Sequence, residues 1–196
     1  MKELIVCSLL FILFLIGFIY FGTKEYPVNE ISDAQKFESE HKQVSKDNIF
    51  SYINSSDAYT YIRGKNVILL IGVKNNDWVG HYAKVIDEVA KELNISSIMY
   101  YDITEDKNDN NATYESIVNY LKDYVTYLDN GEGDLYGPTF IIKKNGVITY
   151  FDDETALIKG TQSASEYWDN YHTNLKKINI TAALKDYLGS DSNGER

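Results

Sequence analysis

Cysteine is almost missing from this 196-residue sequence: the single thiol, Cys7, lies in an apolar N-terminal run, and nothing after it carries another. That excludes an intramolecular disulfide, a Cys-ligated metal and a cysteine nucleophile from the rest of the chain. Proline occurs only twice, as Pro27 and Pro138, so the one proline within the folding part marks a position that needs it. Positive charge is also short. Lys and Arg total 19 against 29 Asp and Glu, and the resulting net charge of −10 argues against a nucleic-acid partner, whose phosphates would have to be neutralised by cations.

What is present suits a folded protein. Hydrophobic residues make up 44% and charged ones 24%, ordinary values for a globular domain, and the length allows one domain with a short additional segment. Tyrosine is abundant, with 17 copies. AT-rich codon usage, which also favours Asn, Lys and Ile, accounts for that; a Tyr-rich recognition surface is the alternative.

From Leu4 to Gly22 the sequence "LIVCSLLFILFLIGFIYFG" holds no charge over 19 residues, about the length needed to cross a hydrocarbon core. Residues 1–22 therefore read as a transmembrane anchor, with the membrane contacted through residues 4–22. The run ends in Ile19, Tyr20 and Phe21 rather than in small residues, which favours an uncleaved segment over a signal peptide. Cys7 comes too early for a lipoprotein. Lys2 on one side faces Lys24, Lys36 and Lys42 on the other, so flanking charge leaves the orientation open. A thiol-free domain suits an oxidising compartment, and the expectation is a single-pass protein of the cell membrane with an extracytoplasmic domain. Residues 23–45 read as a polar tether with a solvated His41, residues 46–190 as the domain, and residues 191–196 as a disordered tail.

Within the domain, Ile49, Phe50, Ile53 and Tyr61 fall at helical intervals before Gly64. "VILLIGV" (Val67 to Val73) is a continuously apolar strand of the kind covered on both faces. A helix follows from Asp77 to Leu93, with Tyr82, Ile86, Val89, Ala90 and Leu93 on one side. "SSIMYYDI" (Ser96 to Ile103) predicts a second buried strand, and Ile117, Leu121, Tyr124, Val125 and Leu128 mark a helix over 112–128. This βαβα order implies a parallel pair joined by a right-handed crossover. The Lys144-Asn145-Gly146 sequence between two strand-like runs signals a hairpin, and one or two helices close the chain between Ala164 and Leu188.

This order, with two motifs at matching places in it, resembles the thioredoxin superfamily over roughly Ser45 to Tyr187. It resembles in particular the small anchored or exported thioredoxin-like proteins of Gram-positive bacteria described as bacteriocin transport accessory proteins. In that family a buried strand runs into Cys-x-x-Cys at a helix start; here "NDWVGHY" sets Asn76 and Val79 where the two cysteines would stand, with Asp77 and Trp78 between them. The second motif is the cis-proline loop, matched by "YGPTFIIKKNGVI" with Tyr136, Gly137, Pro138 and Thr139. The resemblance implies an α/β, thioredoxin-like fold with a central mixed sheet flanked by helices.

The departure removes the chemistry. Disulfide exchange needs a thiolate, and neither Asn76 nor Val79 can supply one. A structural account covers both: Asn76 as an N-cap worth about 1 kcal/mol, with Asp77 favoured by the helix dipole, and Val79 filling the volume of a buried sulfur. The groove of the family, however, holds extended peptide by main-chain bonds beside the cis-proline and by apolar contact, and these outlast the sulfurs. The expectation is a peptide-binding site at Asn76, Asp77, Trp78, Val79, Tyr136, Gly137, Pro138 and Thr139, with no cofactor, no metal and no oxidoreductase activity. The partner would be a peptide or exported protein whose secretion or maturation is assisted. The competing expectation is a substrate-holding member of a thiol–disulfide pathway, and a third is a groove filled by the chain's own tether.

Rival sites are weaker. Read as a calcium loop from Asp106, the acidic stretch places Asn111 where glycine belongs and Ile117 where the bidentate glutamate belongs. The "DDE" at Asp152 to Glu154 reads as the end of the hairpin. His81 has Asp77 nearby but no evident nucleophile, and reads as a surface histidine.

Overall fold

The computed structural model describes residues 31–109, 111–127, 133–153 and 162–189. The apolar run at 4–22 and the tail at 191–196 lie outside these residues; among those described, no helix is long and apolar enough to cross a membrane.

The protein is α/β. In chain order the elements are α1 (Asp33–Glu40), β1 (Phe50–Tyr52), α2 (Ser55–Arg63), β2 (Val67–Gly72), α3 (Asp77–Glu92), β3 (Ile98–Asp102), α4 (Thr104–Asn108) and α5 (Ala112–Tyr120). There follow β4 (Thr126–Tyr127), β5 (Gly133–Asp134), β6 (Thr139–Lys144), β7 (Val147–Asp152), α6 (Ala164–Tyr167) and α7 (Asn170–Leu188).

Five strands form a mixed sheet in the order β1-β3-β2-β6-β7. β1, β3 and β2 run parallel, β6 is antiparallel to β2, and β7 is antiparallel to β6. The apolar run of β2 is central because it pairs on both edges: Leu70 lies opposite Tyr100 on one side and Phe140 on the other. Successive side chains of a strand point to opposite faces. Leu70, Tyr100, Phe140 and Ile142 accordingly enter one core with Phe37, Val79, Ile86, Ile180 and Leu184. Leu69, Ile71, Tyr101 and Ile141 enter the other with Ala58, Ile62, Tyr114 and Ile117. The sheet is thus covered on both faces, by α1, α3 and α7 on one and by α2 and α5 on the other.

The hairpin turn has the backbone its sequence requires. Asn145 (φ 53°) and Gly146 (φ 87°) both adopt the left-handed conformation of the tight turns that match strand twist. A bulge at Ile142/Lys143 then shifts the register.

Four expectations are corrected. Residues 32–45 are not a free tether: Ser32 and Gln35 close a reciprocal capping box that starts α1, and Phe37, His41 and Val44 are buried. His41, expected in solvent, is 1% exposed. The helix expected across Ile49–Tyr61 is in fact β1 followed by α2, because Ile49 accepts from Ile98 and Asn54 caps a new helix at Asp57. The helix expected over 112–128 stops at Tyr120, where the chain turns into the two-residue ribbon β4–β5.

Candidate functional site

The site begins where β2 ends. Gly72 pairs with Asp102, whose carboxylate accepts from the Lys74 amide (3.3 Å), while the Thr104 hydroxyl accepts from the same amide (3.2 Å). The turn is thereby pinned to the end of β3. Asn75 takes a left-handed conformation (φ 58°), which asparagine tolerates better than most residues, and Asn76 returns to extended backbone. The Asn76 side chain then accepts from the amides of Trp78 (2.9 Å) and Val79 (3.3 Å), so it is the N-cap of α3.

Val79 and the proline loop meet through Gly72. Val79 is fully buried, and a Cβ placed on Gly72 would meet its Cγ1 at 2.9 Å and the Tyr100 ring at 2.8 Å. A Cβ on Gly137 would lie 2.9 Å from the Val73 amide nitrogen and 3.0 Å from the Gly72 Cα. Gly137 therefore lies directly on the main chain that feeds the turn, and nothing larger fits. The Gly137–Pro138 peptide is cis. Thr139 is buried, pairs with Ile71, and donates its hydroxyl proton to the Tyr136 carbonyl. Tyr136 itself is half-buried, with the Lys107 ammonium 5.1 Å from its ring centre.

Trp78 meets the C-terminal part of the chain. Its ring lies 5.3 Å from that of Tyr167 at the end of α6, and Tyr167 in turn lies 4.4 Å from the His172 ring on α7. The structure thus joins Val79 to Gly137 through one glycine, and carries Trp78 onto an aromatic row built by the C-terminal helices. Asp77 is exposed and accepts from the Gln43 amide (3.0 Å). Gln43 also covers Gly80: a Cβ there would come within 2.0 Å of its Oε1.

Tyr167, His172, Gln43 and His41 were not among the residues expected at the site. Their neighbours on the turn are distant in sequence, and no local pattern announces them. His41 lies beneath the turn, its Nε2 bonded to the Tyr100 hydroxyl at 3.2 Å and its ring 4.6 Å from Phe37. Burial lowers its pKa to about 4, against the opposing pull of the Asn76 main chain and of the Asp102 and Asp77 carboxylates.

This has a sign and a size. His41 is neutral in the folded protein and ionises near 6.5 when unfolded, so unfolding takes up a proton between those values. Stability is fully present above pH 6.5 and falls as the pH drops toward 4, by about 3 kcal/mol in total at 1.36 kcal/mol per unit. Urea denaturation at pH 7.5 and 4.5 measures it. The His41→Gln variant, which keeps a polar side chain without the titration, should show a drop between the two pH values smaller by about 2 kcal/mol; an identical drop in both proteins would rule out this role of His41.

His81, the other histidine near the turn, is half-buried; burial, and Lys84 to a lesser degree, lower its pKa against Asp77. Among the described residues, no group of three or more His, Cys, Asp or Glu side chains is placed to hold a metal ion. No sulfur occurs at the turn, so the groups available there are main-chain amides and carbonyls, the Asn76 amide and the aromatic row. No protein-family model matches the chain, and no characterised protein shows significant similarity to it.

Proposed function

We propose that this chain is a thioredoxin-like, redox-inactive binding protein, anchored to the cell membrane through residues 4–22 with its domain outside, that holds an extended segment of an exported peptide or protein. The observation that carries the reading is the seating of Gly137 on the Gly72–Val73 main chain, which sets the Tyr136–Thr139 loop beside the turn that opens α3. The sheet order, with two antiparallel strands completing a parallel set, supports it as well. An extended ligand pairing with main chain at this loop gains affinity from backbone hydrogen bonds, and specificity from the side chains it lays on Trp78.

The test is calorimetric titration with a panel of extended peptides drawn from exported proteins. Trp78→Ala should weaken the best binder at least tenfold, since a buried aromatic anchor is worth about 2 kcal/mol or more. The reading fails if no peptide binds, or if Trp78→Ala binds as the parent does. Insulin reduction should show no turnover, and any turnover contradicts the redox-inactive part.

A second reading has one observation in its favour. Gln43 lies on Gly80 and bonds Asp77, so the segment entering the domain already covers part of the turn. If that segment is the occupant, Gln43→Ala strengthens peptide binding; if an external peptide is, affinity stays unchanged.

A further inference from the structure

α7 is apolar on two sides. Ile180 and Leu184 are fully buried, with Ala183 and Tyr187 packed beside them. The opposite side holds Tyr171 (69% exposed), Leu175 (43%) and Ile178 (65%). A helix that packs on its domain by one stripe normally shows a polar face to water. Here Tyr171, Leu175, Ile178, Ala182 and Lys185 succeed one another in steps of four, three, four and three, the 3.5-residue average of a helix-pairing seam.

The relief of that face matches its spacing. Asn174, Lys177, Ile178, Thr181, Ala182 and Lys185 outline one shallow depression. They comprise two overlapping quartets at i, i+3, i+4, i+7, the arrangement that receives a knob from a facing helix. Ile178 is itself a projecting knob. A surface that offers both knob and hole is complementary to itself, as a two-fold interface requires.

Charge selects the occupant and its direction. In a chain of net charge −10, the sixteen residues from Asn170 to Lys185 contain no carboxylate, although Asp169 and Asp186 flank them. The charges of this stretch are basic, but Lys177 is held by Glu88 and Glu92 of its own chain, so Lys185 is the seam charge that sets the pairing. A parallel pairing would set Lys185 against Lys185, whereas an antiparallel pairing brings Lys185 toward the Asp169 and Tyr171 end of the other helix, where a carboxylate and a ring face receive it.

We propose that the outward face of α7 is a self-association surface, on which a second copy of this chain docks its own α7 antiparallel about a two-fold axis near Ile178. The helix has 19 residues, a length of about 28 Å. A seam that short falls toward the small end of specific interfaces, so the dimer is weak and concentration-dependent.

The test uses the full chain in detergent, with Cys7→Ser removing its only thiol. In that background Ile178→Cys should form a disulfide-linked dimer under mild oxidation, while Val147→Cys, equally exposed but on the sheet edge, should not. Tyr171→Cys alone should fail to cross-link, but mixed with Lys185→Cys it should give the heterodimer expected of antiparallel helices. Sedimentation should show at least a tenfold weaker association for Ile178→Asp, with an unchanged circular dichroism spectrum as the check on folding. Cross-linking of Ile178→Cys no faster than of Val147→Cys, self-linking of Tyr171→Cys, or an association constant untouched by Ile178→Asp overturns the proposal, whatever else binds this face.

Discussion

Replacing Asp152 with alanine should destabilise the domain by about 3–5 kcal/mol, the usual consequence of removing one member of a buried ion pair. The Lys176 ammonium donates to Asp152 Oδ2 at 2.6 Å, and the side chains are only 6% and 10% exposed. The same oxygen accepts from the hydroxyls of Tyr82 (2.6 Å) and Tyr150 (3.0 Å). Burial first, and the adjacent carboxylate next, push the Tyr82 hydroxyl well above the ordinary tyrosine pKa, so it remains a donor. Alanine at 152 would take one shared acceptor from a buried cation and two tyrosine hydroxyls at once. Asp152→Asn should lose less, because an acceptor remains for the tyrosines. Combining it with Lys176→Met, which also removes the buried cation, should bring stability back toward the parent value. Chemical denaturation of the parent, Asp152→Asn, Lys176→Met and the double variant gives the coupling energy. Additive losses would show that the two residues do not act as a pair.

The consequence reaches the candidate site. Asp152 ends β7, Tyr82 lies on α3 and Lys176 on α7, so the cluster ties the sheet edge to both helices that flank the aromatic row. Tyr82 also stacks on Trp168, 5.6 Å away, and Trp168 meets Tyr167, the ring on which Trp78 leans. If the proposed peptide site is correct, the Asp152→Ala change should weaken binding there as well as stability, while a substitution at an exposed position such as Lys122 should do neither.

The parts of the fold that were legible in the sequence are those whose signal is local. "VILLIGV" shows a strand covered on both faces because every position is apolar, and Asn145-Gly146 shows a turn because both residues tolerate positive φ. Asn76 as an N-cap and Val79 as a buried filler could likewise be read from type and position, and both stand so in the structure. The aromatic row could not be read, since nothing within a few residues of Trp78 indicates that Tyr167 and His172 stack beside it. β1 is three residues long, too short for any periodicity to distinguish it from the helix that follows. α1 is a different case. Its Ser-x-x-Gln capping signature was present at Ser32 and Gln35, but the segment looks polar because few of its side chains face inward.

That inward set leads to the second large effect. Phe37→Ala should cost about 3–5 kcal/mol, as for other fully buried phenylalanines, even though it lies in a stretch whose composition suggests a linker. The ring stacks on Phe50 at 4.3 Å and meets Tyr100 edge-on at 4.8 Å. It therefore bridges α1 to the outer strand β1 and to β3. Removing it also opens the wall against which His41 rests, so water should reach that imidazole and its pKa should return toward 6.5. Two readouts should then move together in this variant: a lower urea midpoint, and loss of the extra acid sensitivity between pH 6.5 and 4. Exposed Lys42 in the same segment serves as the control, since Lys42→Ala touches only a surface pair with Glu38 and should stay within about 0.5 kcal/mol of the parent. If Phe37→Ala also stays within that range, residues 33–44 are a tether laid against the domain rather than part of its core. The turn at Asn76 would then stand without the support beneath it that the His41–Tyr100 contact supplies.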